Sequence, residues 1–147
     1  MDKIELCYSR LMRFDSYITA VNGATTADPR MGASPATVPN THIVNIREHD
    51  KDTGRLASRL IIGLEAPAGE TVDLQLYLLD SADEDAAPAA RHWYLCGTIS
   101  GLAGGALNQT RLSIAAEAVA GGGLLYVRVT AETISADRQI AIRIASA

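Results

Sequence analysis

Cysteine, lysine, aromatic residues and long apolar runs are all scarce in this chain of 147 residues. Only two cysteines occur, Cys7 and Cys96, far apart in sequence. Neither has the close partner that a redox or metal motif needs. Both read as small buried thiols rather than an inter-strand disulfide, because free cysteine is commonly buried and a chain of this length can build a core without a staple. Lysine is confined to Lys3 and Lys51, the arginines are scattered, and the formal net charge is -4, which disfavours a nucleic-acid binder with its basic stripe. Aromatics make up 5% of residues, so the core has to come from Leu, Ile, Val and Ala within the 48% hydrophobic fraction. No window approaches the ~18 uninterrupted apolar residues of a membrane helix. The nearest, residues 112–127, carries Glu117 and three consecutive glycines. The opening Met1-Asp2-Lys3-Ile4-Glu5 lacks the basic and apolar regions of a signal peptide, and the expectation is synthesis and maturation in a cytosol.

What the chain does have is alternation. In residues 124–147, Leu125, Val127, Val129 and Ala131 alternate with Tyr126, Arg128 and Thr130. After Ser135-Ala136-Asp137 the pattern resumes with Ile140, Ile142 and Ile144. A period of two is the signature of a half-buried antiparallel strand. The same pattern predicts strands at residues 3–8, 41–48, 56–64, 72–78, 91–100 and 109–116, with a less regular one at 11–21. A helix is plausible only at residues 114–120, where alanine is dense. About eight short strands separated by turn signals predict one all-β domain over residues 1–147, an antiparallel β-sandwich or jelly roll. Residues 22–40, NGATTADPRMGASPATVPN, break the pattern with three of the five prolines and no periodicity. So long an unpatterned stretch in a compact domain reads as an extended arm. Its candidate partner-binding residues are Pro29, Met31, Pro35, Val38 and Pro39.

Chemistry-bearing patterns are few. Glu48-His49-Asp50 with Asp52 reads as a solvated hairpin tip rather than a metal site, because ligands on sheets usually converge from different strands. Residues 80–85, DSADED, lack the carboxylate order of an EF-hand and read as a solvated loop. His92 and Cys96 sit four residues apart on one strand, ~13 Å by strand rise, too far for a nucleophile–base hydrogen bond. No Gly-x-Ser-x-Gly elbow is present, and the glycine clusters at 101–105 and 121–123 read as turns rather than phosphate cradles. Asn108-Gln109-Thr110 matches a glycosylation acceptor by chance. Trp93 reads as a core plug rather than a ligand platform, and the tyrosines do not interleave with basic residues. No catalytic, cofactor or metal residue is expected.

Residues 74–102, LQLYLLDSADEDAAPAARHWYLCGTISGL, place a strand, a polar loop and a Trp/Tyr-bearing strand in succession. That run, the Ala/Gly/Thr-rich turns, the scarce lysine and the closing Ala145-Ser146-Ala147 resemble small virion accessory proteins of tailed bacteriophages, of the capsid decoration or cement type. The resemblance implies a non-enzymatic structural protein of the virion, assembled in the host cytoplasm. Its partners would be the major capsid protein or other virion proteins, with no nucleic acid, membrane or cofactor. Decoration sites on symmetry axes imply a homo-oligomer, dimer or trimer. On that reading the arm lies across neighbouring subunits, with Met31 and Val38 as anchors. The alternatives are a head–tail connector component, or a carbohydrate- or receptor-binding module of a tail or fibre. The module's sign would be Trp93 or a tyrosine exposed in a concave site beside residues 80–90. An enzyme would need His42, His49 or His92 to meet an acid in a pocket.

Overall fold

The alternating segments become eight strands in a computed structural model that describes residues 16–29, 38–45, 59–83, 85–105, 109–113 and 124–145. They are β1 (Ser16–Ala20), β2 (Ile43–Asn45), β3 (Arg59–Glu65), β4 (Thr71–Leu79), β5 (Trp93–Ala103), β6 (Gln109–Ser113), β7 (Leu124–Glu132) and β8 (Arg138–Ala145). The strand expected at residues 3–8 and the helix considered at 114–120 lie outside the described residues. The strands form two four-stranded sheets, ordered β1-β8-β3-β6 and β2-β7-β4-β5, with every neighbouring pair antiparallel. Folding the chain back about the β4–β5 hairpin brings β3 to β6, β2 to β7 and β1 to β8, and successive pairs fall alternately into the two sheets. That is a jelly-roll wrap, the more specific of the two architectures expected.

The core lies between the sheets and follows the alternation. Leu60, Ile62 and Leu64 of β3 meet Ile140 and Ile142 of β8 on one side. Val72, Leu74, Leu76 and Leu78 of β4, with Leu125, Val127 and Val129 of β7, face them from the other. Each such side chain, fully buried, contributes about 1.5–3 kcal/mol of hydrophobic stabilisation. Ala131 leaves the pattern and is exposed. The pairing steps from Asp73–Ala131 to Leu74–Val129, so Thr130 is an extra residue in β7 and the side-chain parity flips there.

β5 also departs from expectation, because it continues through Gly101 to Ala103 instead of turning at residue 101. Gly101 sits at φ +66, in the left-handed region that glycine enters without penalty, and forms a bulge whose N–H donates to Asp73 Oδ1 at 2.7 Å. The turn comes at Gly104, which presses against the 66–67 backbone. A Cβ there would lie 2.5 Å from the Pro67 carbonyl oxygen.

A second cluster sits on the outer face of the β2-β7-β4-β5 sheet. Tyr77 and Leu79 point away from the inter-sheet core yet are 0% and 2% exposed. Tyr126 stacks on Tyr77 with ring centroids 6.0 Å apart, and Trp93 meets Tyr126 edge-on at 6.0 Å. These offset and T-shaped arrangements are the ones the ring quadrupole favours. Trp93 is 4% exposed, the core plug its sequence context implied.

Candidate functional site

Two surfaces concentrate the residues that the fold does not need for its inter-sheet core. The first is the seat of the extended segment. Leaving β1 at one edge of its sheet, the chain turns at Gly23 (φ +78) and crosses to the edge of the other sheet. β2 is only three residues long and covers β7 over Leu124, Leu125 and Tyr126. Beyond it, the backbone groups of β7 need other partners. His42 supplies one, with Nδ1 donating to the Val127 carbonyl at 3.0 Å. Thr26 supplies two, since its N–H donates to Val129 O at 2.9 Å and its Oγ1 accepts from Val129 N–H at 2.8 Å. Segment 24–28 therefore takes the place that a longer β2 would fill.

Side chains of β7 fasten the same segment. The Tyr126 hydroxyl donates to Ala27 O at 2.8 Å, and burial pushes its phenol pKa up. Arg128 Nε donates to Thr26 O at 3.3 Å, while Nη1 donates to Gln75 Oε1 at 2.7 Å and pairs with Asp28 Oδ2 at 3.4 Å. Near the turn, Asp137 Oδ1 accepts from Asn22 N–H at 2.9 Å and Glu132 Oε1 from Gly23 N–H at 2.8 Å. Pro29 is buried, and Val38, at 6% exposed, packs into the aromatic cluster of its own chain. Pro39 is half-buried, and Met31 and Pro35 lie outside the described residues.

The second surface is the neck of the β4–β5 hairpin. Asp80 N–H donates to His92 O at 2.9 Å, and Asp80 Oδ1 accepts from Ala82 N–H at 3.0 Å. Asp83 Oδ2 accepts the His92 N–H at 2.6 Å and lies 2.7 Å from the His92 ring Nδ1. The backbone hydrogen bond first, and the ring second, hold the Asp83 carboxyl below its usual range. Tyr94 projects from the neck 58% exposed, its hydroxyl donating to Asp80 Oδ2 at 2.9 Å, which raises its pKa. Leu95 beside it is 42% exposed. The polar loop is thus held by hydrogen bonds to its own strand, and at this neck Tyr94 is exposed while Trp93 is buried.

Of the described histidines, His92 does meet an acid, Asp83, at 2.7 Å, but on a largely exposed side chain. His42 is buried on a backbone carbonyl and His92 is on the exposed hairpin neck. The Glu48-His49-Asp50 knot and Cys7 lie outside the described residues. Cys96 is a free, half-buried thiol whose pKa burial pushes up to about 11. Among the described residues no group of three or more His, Cys, Asp or Glu could hold a metal ion, and no helix is long and apolar enough to cross a membrane. Sequence reasoning missed Thr26, Tyr94, Tyr126 and Arg128, because each occupies an ordinary strand or loop position with no motif around it. A scan against protein-family models matches none, and searches of curated proteins and of solved structures return no match.

Proposed function

We propose that this chain is a non-enzymatic structural protein of a bacteriophage virion, decorating or cementing the capsid as a homo-oligomer. The observation that carries the reading is the jelly-roll wrap of the eight strands. Closed double-sheet wraps recur in viral capsid domains, and in lectins and cupins, so the warrant is an analogy of fold. Two features support an assembly role. Among the described residues β5 is an edge strand, eleven residues long without one charged side chain, whereas edges left to water usually carry charge. The arm that follows β1 ties the two sheets together at the opposite edge, giving a rigid body that repeated weak contacts can hold on a symmetric shell.

The test is density-gradient sedimentation of a native lysate with immunodetection of this chain. The expected result is co-sedimentation with intact particles in stoichiometric amount, with copy number separating shell decoration from a neck or tail part. A chain that stays at the top of the gradient as a small oligomer overturns the reading.

Tyr94 favours a second reading, a glycan- or receptor-binding module. It is an exposed ring held by Asp80 beside the 80–90 loop, a setting in which a tyrosine offers an apolar face and polar neighbours. Saturation-transfer NMR with methyl glycosides would detect it as signal lost in Tyr94→Ala.

A further inference from the structure

Asn22-Gly23 is the single Asn-Gly step in the sequence, and both residues are exposed. It forms the middle of the turn Val21–Ala24, where Ala24 N–H donates to Val21 O at 3.1 Å and Gly23 stands at φ +78. An asparagine followed by glycine leaves its side-chain amide open to attack by the next backbone nitrogen, because glycine has no Cβ to hinder the approach. The reaction joins Gly23 N to Asn22 Cγ, breaks the Cγ–Nδ2 bond and closes a succinimide ring. Nδ2 leaves as ammonia, taking the proton that Gly23 N has lost. Water then opens the ring to aspartate or isoaspartate.

In the folded chain the reacting groups are already held. Gly23 N–H, whose proton has to leave, donates to Glu132 Oε1 at 2.8 Å. Asn22 Nδ2, the leaving group, donates to Ser135 O at 3.3 Å. Asn22 N–H donates to Asp137 Oδ1 at 2.9 Å. A carboxylate that accepts from an N–H favours the protonated nitrogen, and its charge disfavours the anion that attacks. The same two carboxylates disfavour the product, which brings a third negative charge to the turn.

We propose that Asn22 is a deamidation site that the Glu132–Asp137 clamp keeps unreactive, and that its reaction, once the clamp opens, prevents the clamp from closing again. Local opening of an exposed turn supplies the reactive state. The turn joins β1 to the segment 24–28 docked on β7, so deamidation loosens the start of that segment irreversibly. The site needs only water as co-reactant and stands independently of the virion reading.

The test is to incubate the full chain in mildly alkaline buffer and follow Asn22 by peptide mapping, with electron-transfer fragmentation to distinguish isoaspartate from aspartate. Conversion should be slow in the wild type and about ten-fold faster in Glu132→Ala, the loss of one charge-assisted hydrogen bond. Equal rates in the two chains, or a faster wild type, overturn the clamp. Glu132 also accepts from Ile134 N–H at 2.7 Å. Should its variant fail to fold for that reason, Asp137→Ala, at an exposed position of the facing turn, asks the same question with the same two outcomes. The deamidated wild-type chain, separated by anion exchange, should melt below the unmodified chain. Identical melting overturns the claim that the clamp cannot close again.

Discussion

Glu70 ties the β3–β4 turn to the β7–β8 turn. Its two carboxylate oxygens accept from Arg138 Nε and Nη2, both at 2.9 Å, and from the Ser135 N–H and hydroxyl at 3.2 Å. Bidentate, charge-assisted bonds favour the ionised form, and the Arg138 hydrogen bonds first pull the Glu70 pKa from 4.5 down to about 2. A folded-state pKa below the unfolded one means stability fully present above about 4.5 and lost as the pH falls through about 2. Glu70→Gln should flatten that part of the acid limb in thermal melts between neutral pH and pH 2, while an unchanged limb would show that the pair does not couple to folding. Gly104 is the second residue on which much depends, because a Cβ there meets Pro67 O at 2.5 Å and Ala66 O at 2.7 Å. Both obstacles are backbone and cannot swing away. Gly104→Ala should cost about 1–3 kcal/mol, read as a lower denaturant midpoint at unchanged slope. Neither role is legible in sequence: Glu70 and Arg138 are 68 positions apart, and Gly104 looks like any other member of its glycine cluster.

The extended segment shows the gap between pattern and structure at the scale of elements. Over its described residues, 22–29 and 38–40, it lies outside the strands as its lack of periodicity implies, yet periodicity says nothing about where an irregular stretch docks. Thr26 and Val38 contact β7 and the aromatic cluster because β2 ends early and leaves both uncovered. Deleting residues 22–40 should therefore expose Trp93, Tyr77 and Tyr126 and strip Val129 of its partner. Trp93 is the only tryptophan, so its emission reports directly. The deletion should red-shift native fluorescence, increase dye binding to apolar surface and lower the melting temperature. Native emission unchanged from the full chain would mean that the segment does not cover the cluster. β5 carries the complementary lesson. The span expected for it, 91–100, overlaps the strand, but its passage through Gly101 depends on Asp73 of the neighbouring strand capping the bulge.

Across the whole molecule, β1 pairs with β8 over a separation exceeding 115 residues, and β2 with β7 over about 80, counted along the ladders. Contacts this distant in sequence slow folding, since loop closure must be paid before pairing rewards it. Refolding followed by Trp93 fluorescence should fall in the milliseconds-to-seconds range of non-local β proteins rather than in microseconds. A microsecond phase carrying the full amplitude would contradict the wrap. The sequence by itself determined that this is an all-β chain: the strands expected at 11–21, 41–48, 56–64, 72–78, 91–100 and 109–116 and the hairpin of 124–147 overlap β1 to β8, with boundaries that differ by several residues, because side-chain parity on a strand is a local property. It likewise set Trp93 and the alternating Leu, Ile and Val inside. Only the tertiary structure decided the jelly-roll order, the docking of residues 22–28 on β7, and the burial of Tyr77 and Tyr126 on an outer face. Each of these is fixed by which backbone edges remain unpaired once the sheets have formed, a property of the assembled ladders and of no segment alone.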